Sequence, residues 1–240
     1  MSWSRKGQVA AASILALIIA ATVVFALVGR GPGWQPGSTK PKLMLLTSLP
    51  IVFPEGFTLK GPKSPVLDRL EEDYRVFPIS VADGQSLKGR KLLLMAQPQA
   101  QPAEALVQLD NWVRNGGHVL LLADPALEWP SKRRFGDPLR PPPAFADTGL
   151  LAHWGLRLYS PAGFGSTLPK ADGRDIRTAA PGELAATSER CMVDEGGFEA
   201  RCRIGRGSAT VIADADFIDV DRFGAANLEL LTDELDRLGG

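Results

Sequence analysis

The chain has 240 residues, which suits one domain of ordinary size with appendages. Lysine plus arginine and aspartate plus glutamate number 27 each, so the formal net charge is zero and no basic footprint for nucleic acid exists. Apolar residues make up 45%, enough for a sizeable core, and 19 prolines with 25 glycines call for abundant, structured loops.

Residues 9–28, VAAASILALIIAATVVFALV, run for 20 positions without a charge. At about 1.5 Å of helical rise per residue they span roughly 30 Å, the hydrocarbon thickness of a bilayer. A cleavable signal peptide usually has an apolar run of about 7 to 15 residues, and no convincing A-x-A site follows this one. Residues 1–29 therefore read as a retained membrane anchor. Arg5 and Lys6 favour a cytoplasmic N-terminus, although Arg30, Lys40 and Lys42 dilute the asymmetry. Residues 30–41, RGPGWQPGSTKP, read as a Gly/Pro-rich linker, and 42–240 as a single domain.

From Lys42 the pattern alternates. KLMLLTSL (42–49) predicts an apolar strand, and SPVLDRLEEDY (64–74) a short helix with Ser64 at its cap and Pro65 in its first turn. RVFPIS (75–80) and KLLLMAQP (91–98) predict two more strands. PAEALVQLDNWVRNGG (102–117) is the best helix, opened by Pro102, closed by Gly116 and striped by Leu106, Leu109 and Val113. HVLLLADP (118–125) predicts a fourth strand. Nearly continuous apolar strands alternating with helices argue for an open, mostly parallel α/β sheet covered on both faces. The middle breaks this rhythm. PSKRRFGDPLRPPP (130–143) is a basic proline-rich loop, 144–159 a short helix, Gly155 and a strand, and 160–185 is expected to be irregular. SATVIADAD supplies a further strand and AANLELLTDELDRL (225–238) a closing amphipathic helix.

The only two cysteines, Cys191 and Cys202, flank the turn Glu195-Gly196-Gly197 of a β-hairpin insertion. Cross-strand placement favours a disulfide, and with it an oxidising compartment, over two free thiols.

Candidate chemistry is sparse. Asp124 ends a buried strand, where it either binds a ligand or caps the following turn beside Pro125; capping is favoured. Asp214, Asp216, Asp219 and Asp221 cluster, but calcium loops need a glycine at position six and a glutamate at twelve. Here those positions hold Asp219 and Ala225, so strand-ending and capping roles are favoured and no metal is expected. Two histidines, His118 and His153, leave little for a His-based metal site or a triad, and no G-x-S-x-G elbow occurs. GFGS (163–166) and GRGS (205–208) lack the spacing of a phosphate cradle.

KLLLMAQPQAQPAEALVQLDNWVRNGGHVLLLADP, with GRGSATVIADADFI and NLELLTDEL, resembles the auxiliary, periplasmic-facing components of gliding-motility-type ABC transport systems. It also resembles related domains of unknown function with a class I glutamine-amidotransferase-like, flavodoxin-type fold. The likeness covers roughly 42–125 and 204–238. It implies that fold for the sheet and an ABC transporter permease or another envelope protein as partner. It also implies where a nucleophilic cysteine would stand, on the sharp turn after HVLLLADP. That turn is Asp124-Pro125-Ala126, and ADADF offers no partner histidine, so no catalytic residue and no cofactor are expected.

Three function classes remain. The first is a non-catalytic domain, anchored in the inner membrane by a single pass and facing the periplasm, that serves an ABC-transporter-associated or other envelope complex. The second is a small-ligand or glycan-binding domain lined at the sheet edge by Thr47, Ser48, Gln97, Asp124 and Asp214. The third is a carboxylate- or metal-dependent hydrolase. Adjacent ATPase and permease genes favour the first, and carboxylates gathered round one open pocket favour the third.

Overall fold

The computed structural model describes residues 40–55 and 63–240. The anchor expected at 9–28, its membrane contact and most of the linker lie outside them. Among the described residues no helix is long and apolar enough to cross a membrane.

Strand β1 (Lys42–Thr47) leads to helix α1 (Pro65–Asp73), whose cap Ser64 accepts the Val66 N–H at 3.3 Å. Strand β2 (Arg75–Ile79) follows, then the one-turn helix α2 (Gly84–Leu87) capped by Asp83, which the sequence pattern did not predict. Strand β3 (Leu92–Ala96), helix α3 (Ala103–Arg114) and strand β4 (His118–Leu122) complete the regular half. Gly116, at φ 101°, lets the chain leave α3 in a left-handed turn, as the pattern predicted. After the proline-rich segment come α4 (Leu150–Trp154), which ends at Gly155, and strand β5 (Leu156–Tyr159).

Residues 160–186 correct the expectation of irregular structure. They form a nested antiparallel ladder in which β6 (Ser166–Thr167) pairs with β9 (Thr178–Ala179), β7 (Lys170–Ala171) with β8 (Arg174–Asp175), and β5 with β10 (Glu183–Ala186). Its tip is Asp172-Gly173, both at positive φ (51° and 76°), the Asp-Gly signature of a two-residue hairpin.

Strands β11 (Cys191–Val193), β12 (Glu199–Ile204) and β13 (Gly207–Ile212) precede helix α5 (Val220–Phe223) and the closing helix α6 (Leu228–Gly239). The main sheet has seven strands in the order β11-β12-β13-β4-β3-β1-β2. Five are parallel, and the cysteine hairpin extends the sheet antiparallel beyond β13. The hairpin is thus an edge of the sheet, and the insertion is the ladder at 160–186. Cys191 faces Cys202 in register and the two form a disulfide, Cα–Cα 4.0 Å. Closing so short a loop adds about 2 to 3 kcal/mol in the chain-entropy picture.

Burial explains the apolar runs. Leu43, Leu45, Leu94, Leu120 and Leu122 pack with α1 and α6 on one face; Met44, Leu46, Leu93, Val119 and Leu121 pack with α3 and α4 on the other. A strand buried on both faces favours apolar residues at successive positions, as in β3. Each fully buried leucine contributes about 1.5 to 3 kcal/mol.

Candidate functional site

In the parallel part of the sheet the order β2-β1-β3-β4-β13 reverses direction between β1 and β3. Doubly wound sheets hold ligands in the crevice outside the carboxyl ends of the strands at such a reversal. A cleft of about 740 Å³ opens there, walled by residues following β1, β2 and β3 and by the proline-rich segment 130–143. Its volume falls within the range of small-molecule sites.

Its polar groups are largely turned inward. Thr47 Oγ1 donates to Ala96 O at 2.8 Å and Ser48 Oγ to Gln97 O. Gln101 Oε1 accepts the Ala82 N–H at 3.1 Å, and the Gln99 amide donates to Arg140 O at 3.1 Å. Glu55 accepts the Ser131 hydroxyl and the Lys132 N–H, while Arg133 donates to Glu55 O at 3.3 Å. The basic proline-rich loop is thereby held as one wall. What the cleft offers is apolar surface, with Phe53 (72% exposed) and Leu139 (66%) on its rim. Such surface suits apolar groups of a partner or ligand.

Of the residues expected to line a site, Thr47 and Ser48 do border this cleft. Gln97, Asp124 and Asp214 do not; all three are fully buried beneath the neighbouring strand ends. Gln97, at φ 42°, aims its amide at the backbone of Asp124: Oε1 accepts the Asp124 N–H at 3.0 Å and Nε2 donates to Asp124 O at 3.1 Å. Asp124 Oδ1 accepts the Ala126 N–H (2.7 Å) and Oδ2 the Ala215 N–H (3.1 Å). Asp214 Oδ1 accepts from the Thr178 hydroxyl (2.6 Å) and the Phe217 N–H (2.8 Å), and Asp216 Oδ2 from the Glu128 N–H (2.7 Å). Asp219 caps α5. Strand-ending and capping roles are what these hydrogen bonds describe.

Burial pushes the carboxyls up. Asp124 rises to about 6 against the pull of its backbone donors. Asp216 rises to about 7, from burial first and the Asp124 charge after it. Asp214 lies well above the usual carboxylate range for the same two reasons. Among the described residues no three His, Cys, Asp or Glu side chains are arranged to hold a metal ion. At the opposite edge, His118 Nδ1 lies 2.8 Å from Ser208 Oγ, a directly paired position between β4 and β13.

Asp124→Asn tests the capping role. The new NH₂ would face the Ala215 N–H or the Ala126 N–H, two donors in opposition, so about 1 to 3 kcal/mol of stability should be lost. Cellular function should persist while the protein stays folded. Loss of function in a folded variant, read by melting and complementation together, would make Asp124 a working group.

The family model described as ABC-type uncharacterized transport system, an auxiliary-component family, matches residues 40–160, half of the chain. The chain belongs to this family. The match spans β1 to β5 and so includes the walls of the cleft and Asp124, but not Asp214 or Asp216. No curated protein matches the chain in sequence. Among solved structures, the mmIFT52 N-terminal domain is similar with a TM-score of 0.50 at 13% identity, covering 80% of this chain and 96% of that one. An exo-beta-1,4-mannosidase from Opitutaceae bacterium strain TAV5 has a TM-score of 0.48 at 12% identity over 82% of this chain. This chain spans only 36% of that enzyme's chain. A cytoplasmic protein from Salmonella typhimurium LT2 gives 0.47 at 11% identity, covering 82% and 99% of the two chains. At such identities the likeness is one of fold alone.

Proposed function

We propose that this chain is a non-catalytic auxiliary subunit of an ABC-type transport system, anchored in the inner membrane by residues 9–28. Its domain, 42–240, faces the periplasm and engages a permease or another envelope component. Family membership over residues 40–160 carries this reading. The turn after β4 supports the non-catalytic part: where the resembling amidotransferases carry a nucleophile, Asp124 is buried and occupied by backbone donors. The Cys191–Cys202 bridge supports an oxidising compartment. The parallel order β2-β1-β3-β4-β13 supports kinship with glutamine-amidotransferase-like, flavodoxin-type sheets. Recognition falls to the cleft, whose apolar rim suits apolar side chains of a protein partner. The cleft's position at the strand reversal also favours a second reading, a small-ligand or glycan site.

Orientation is tested by fusing reporters after Gly240. A reporter active only in the periplasm should be active, and its cytoplasmic counterpart silent. The reverse pattern would place the domain in the cytoplasm and remove the compartment argument.

A further inference from the structure

The corner that joins β4, β13 and β9 holds three carboxylates, Asp124, Asp214 and Asp216, each with no exposed surface. Asp214 Oδ2 and Asp216 Oδ1 have no hydrogen-bond partner. Among the described residues the nearest cation is Arg222, whose Nη1 lies 4.0 Å from Asp216 Oδ1 while its Nη2 pairs with Glu128 at 3.1 Å. Glu128, Asp219 and Asp221 add further acidic groups beside the corner, and Arg177, adjacent to Thr178, is exposed and makes no ion pair with the three carboxylates. Three buried anions without a cation at hydrogen-bonding distance cannot all stay ionised; protons must neutralise some of them.

The same corner holds the wall of the cleft. Asp124 O accepts the Phe145 N–H at 2.6 Å, and Gln97 Nε2 bridges Asp124 O and Pro142 O, each at 3.1 Å. Leu127 N donates to Pro143 O at 2.9 Å. On the far side, Asp216 Oδ2 fixes the backbone of Glu128. Segment 130–143, which contributes Arg133, Pro138, Leu139 and Pro141 to the cleft, is therefore tied at its two ends to the loop that the carboxylates organise.

We propose that Asp124, Asp214 and Asp216 form a proton-held clasp that sets the position of the 130–143 wall, so that pH controls how tightly the cleft is closed. With its protons in place the clasp joins residues 123–128, residues 213–219 and Thr178. When they are lost, adjacent negative charges repel and the loop carrying the wall separates. The direction follows from linkage. The closed form holds protons that an opened, hydrated carboxylate would release. Opening therefore becomes easier as pH rises from the ordinary carboxylate range towards neutrality, about tenfold per pH unit for each proton released, and levels off above the closed-state pKa. Asp214 Oδ2, unpartnered, is the natural place for one of these protons. The clasp works the same way whatever occupies the cleft.

Hydrogen exchange of the full chain in detergent, at pH 5, 6 and 7 and corrected for intrinsic amide chemistry, tests this. Peptides covering 125–145 should lose protection by about tenfold per pH unit, while those from β3 and β4 hold theirs. Asp214→Asn keeps an oxygen for Thr178 and Phe217 and imitates the protonated acid, so it should flatten the dependence and keep the wall protected at pH 7. Asp216→Asn should flatten it by another route. Wild-type protection over 125–145 that does not change across this range overturns the proposal, whether or not either variant folds. So does a folded Asp214→Asn that retains the full wild-type slope.

Discussion

Gly207→Ala should destabilise the domain by about 3 kcal/mol or more, a drop of roughly 6 to 12 °C in melting temperature for a domain of this size. A Cβ at Gly207 would lie 2.1 Å from Gly117 O and 2.2 Å from Val113 O. Both neighbours are backbone atoms, so no side chain can swing aside. The start of β13 rests directly on the junction between α3 and β4, and Ser208 N donates to Gly117 O at 3.3 Å. An added methyl must push β13 away from β4, two central strands of the sheet, or tear the end of α3. Gly163→Ala is the control, because nothing lies within 4 Å of its Cβ position and no left-handed backbone is required. Equal melting temperatures for the two variants would mean that the junction is not packed in this way.

Global stability should fall as the pH rises from 5 to 8. Asp216 and Glu199 are pushed up to about 7 and Asp124 to about 6, in each case mainly by burial. For Glu199 the Glu234 charge adds to it. A folded-state carboxyl pKa above the unfolded value means that the native state binds the proton more tightly. The stability of the protonated form is then lost as pH rises through the window between about 4 and 7. Asp83, Asp110 and Asp172 are shifted down, and their contribution fades only below the ordinary carboxylate range, outside this window. His118, half-buried and lowered by burial and by Lys91, opposes the trend. Urea unfolding at the two pH values should show a loss of several kcal/mol. Higher stability at pH 8 would contradict the buried, proton-bearing carboxyls.

The fold was legible where physics acts locally. Leu92 to Met95 and Val119 to Leu122 are apolar at every position because both faces of β3 and β4 are covered, and that needs no knowledge of neighbours. Gly117, just before β4, and Gly207, the first residue of β13, proved to serve close approach to α3. Cys191 and Cys202 were legible because a tight turn fixes hairpin register. The ladder at 160–186 was missed although Asp172-Gly173 carries its turn signal, since two-residue strands are too short to show alternation. The cleft was half legible. Thr47 and Ser48 follow from strand ends, whereas Phe53, Gln99 and Leu139 reach it only through the strand order and the return of 130–143. Strand order is a long-range property with no local signature. Gln97, Asp124 and Asp214 were correctly placed at strand ends, but their burial depends on residues 123–128 and 213–219 folding over them.

Purification of the full chain from membranes in mild detergent, with quantitative mass spectrometry of what accompanies it, tests the auxiliary-subunit role most directly. An ABC permease or ATPase should be recovered in near-stoichiometric amount, and Leu139→Asp at the cleft rim should deplete it while leaving the domain folded. Recovery of the chain alone from membranes that contain the intact transporter would contradict the role.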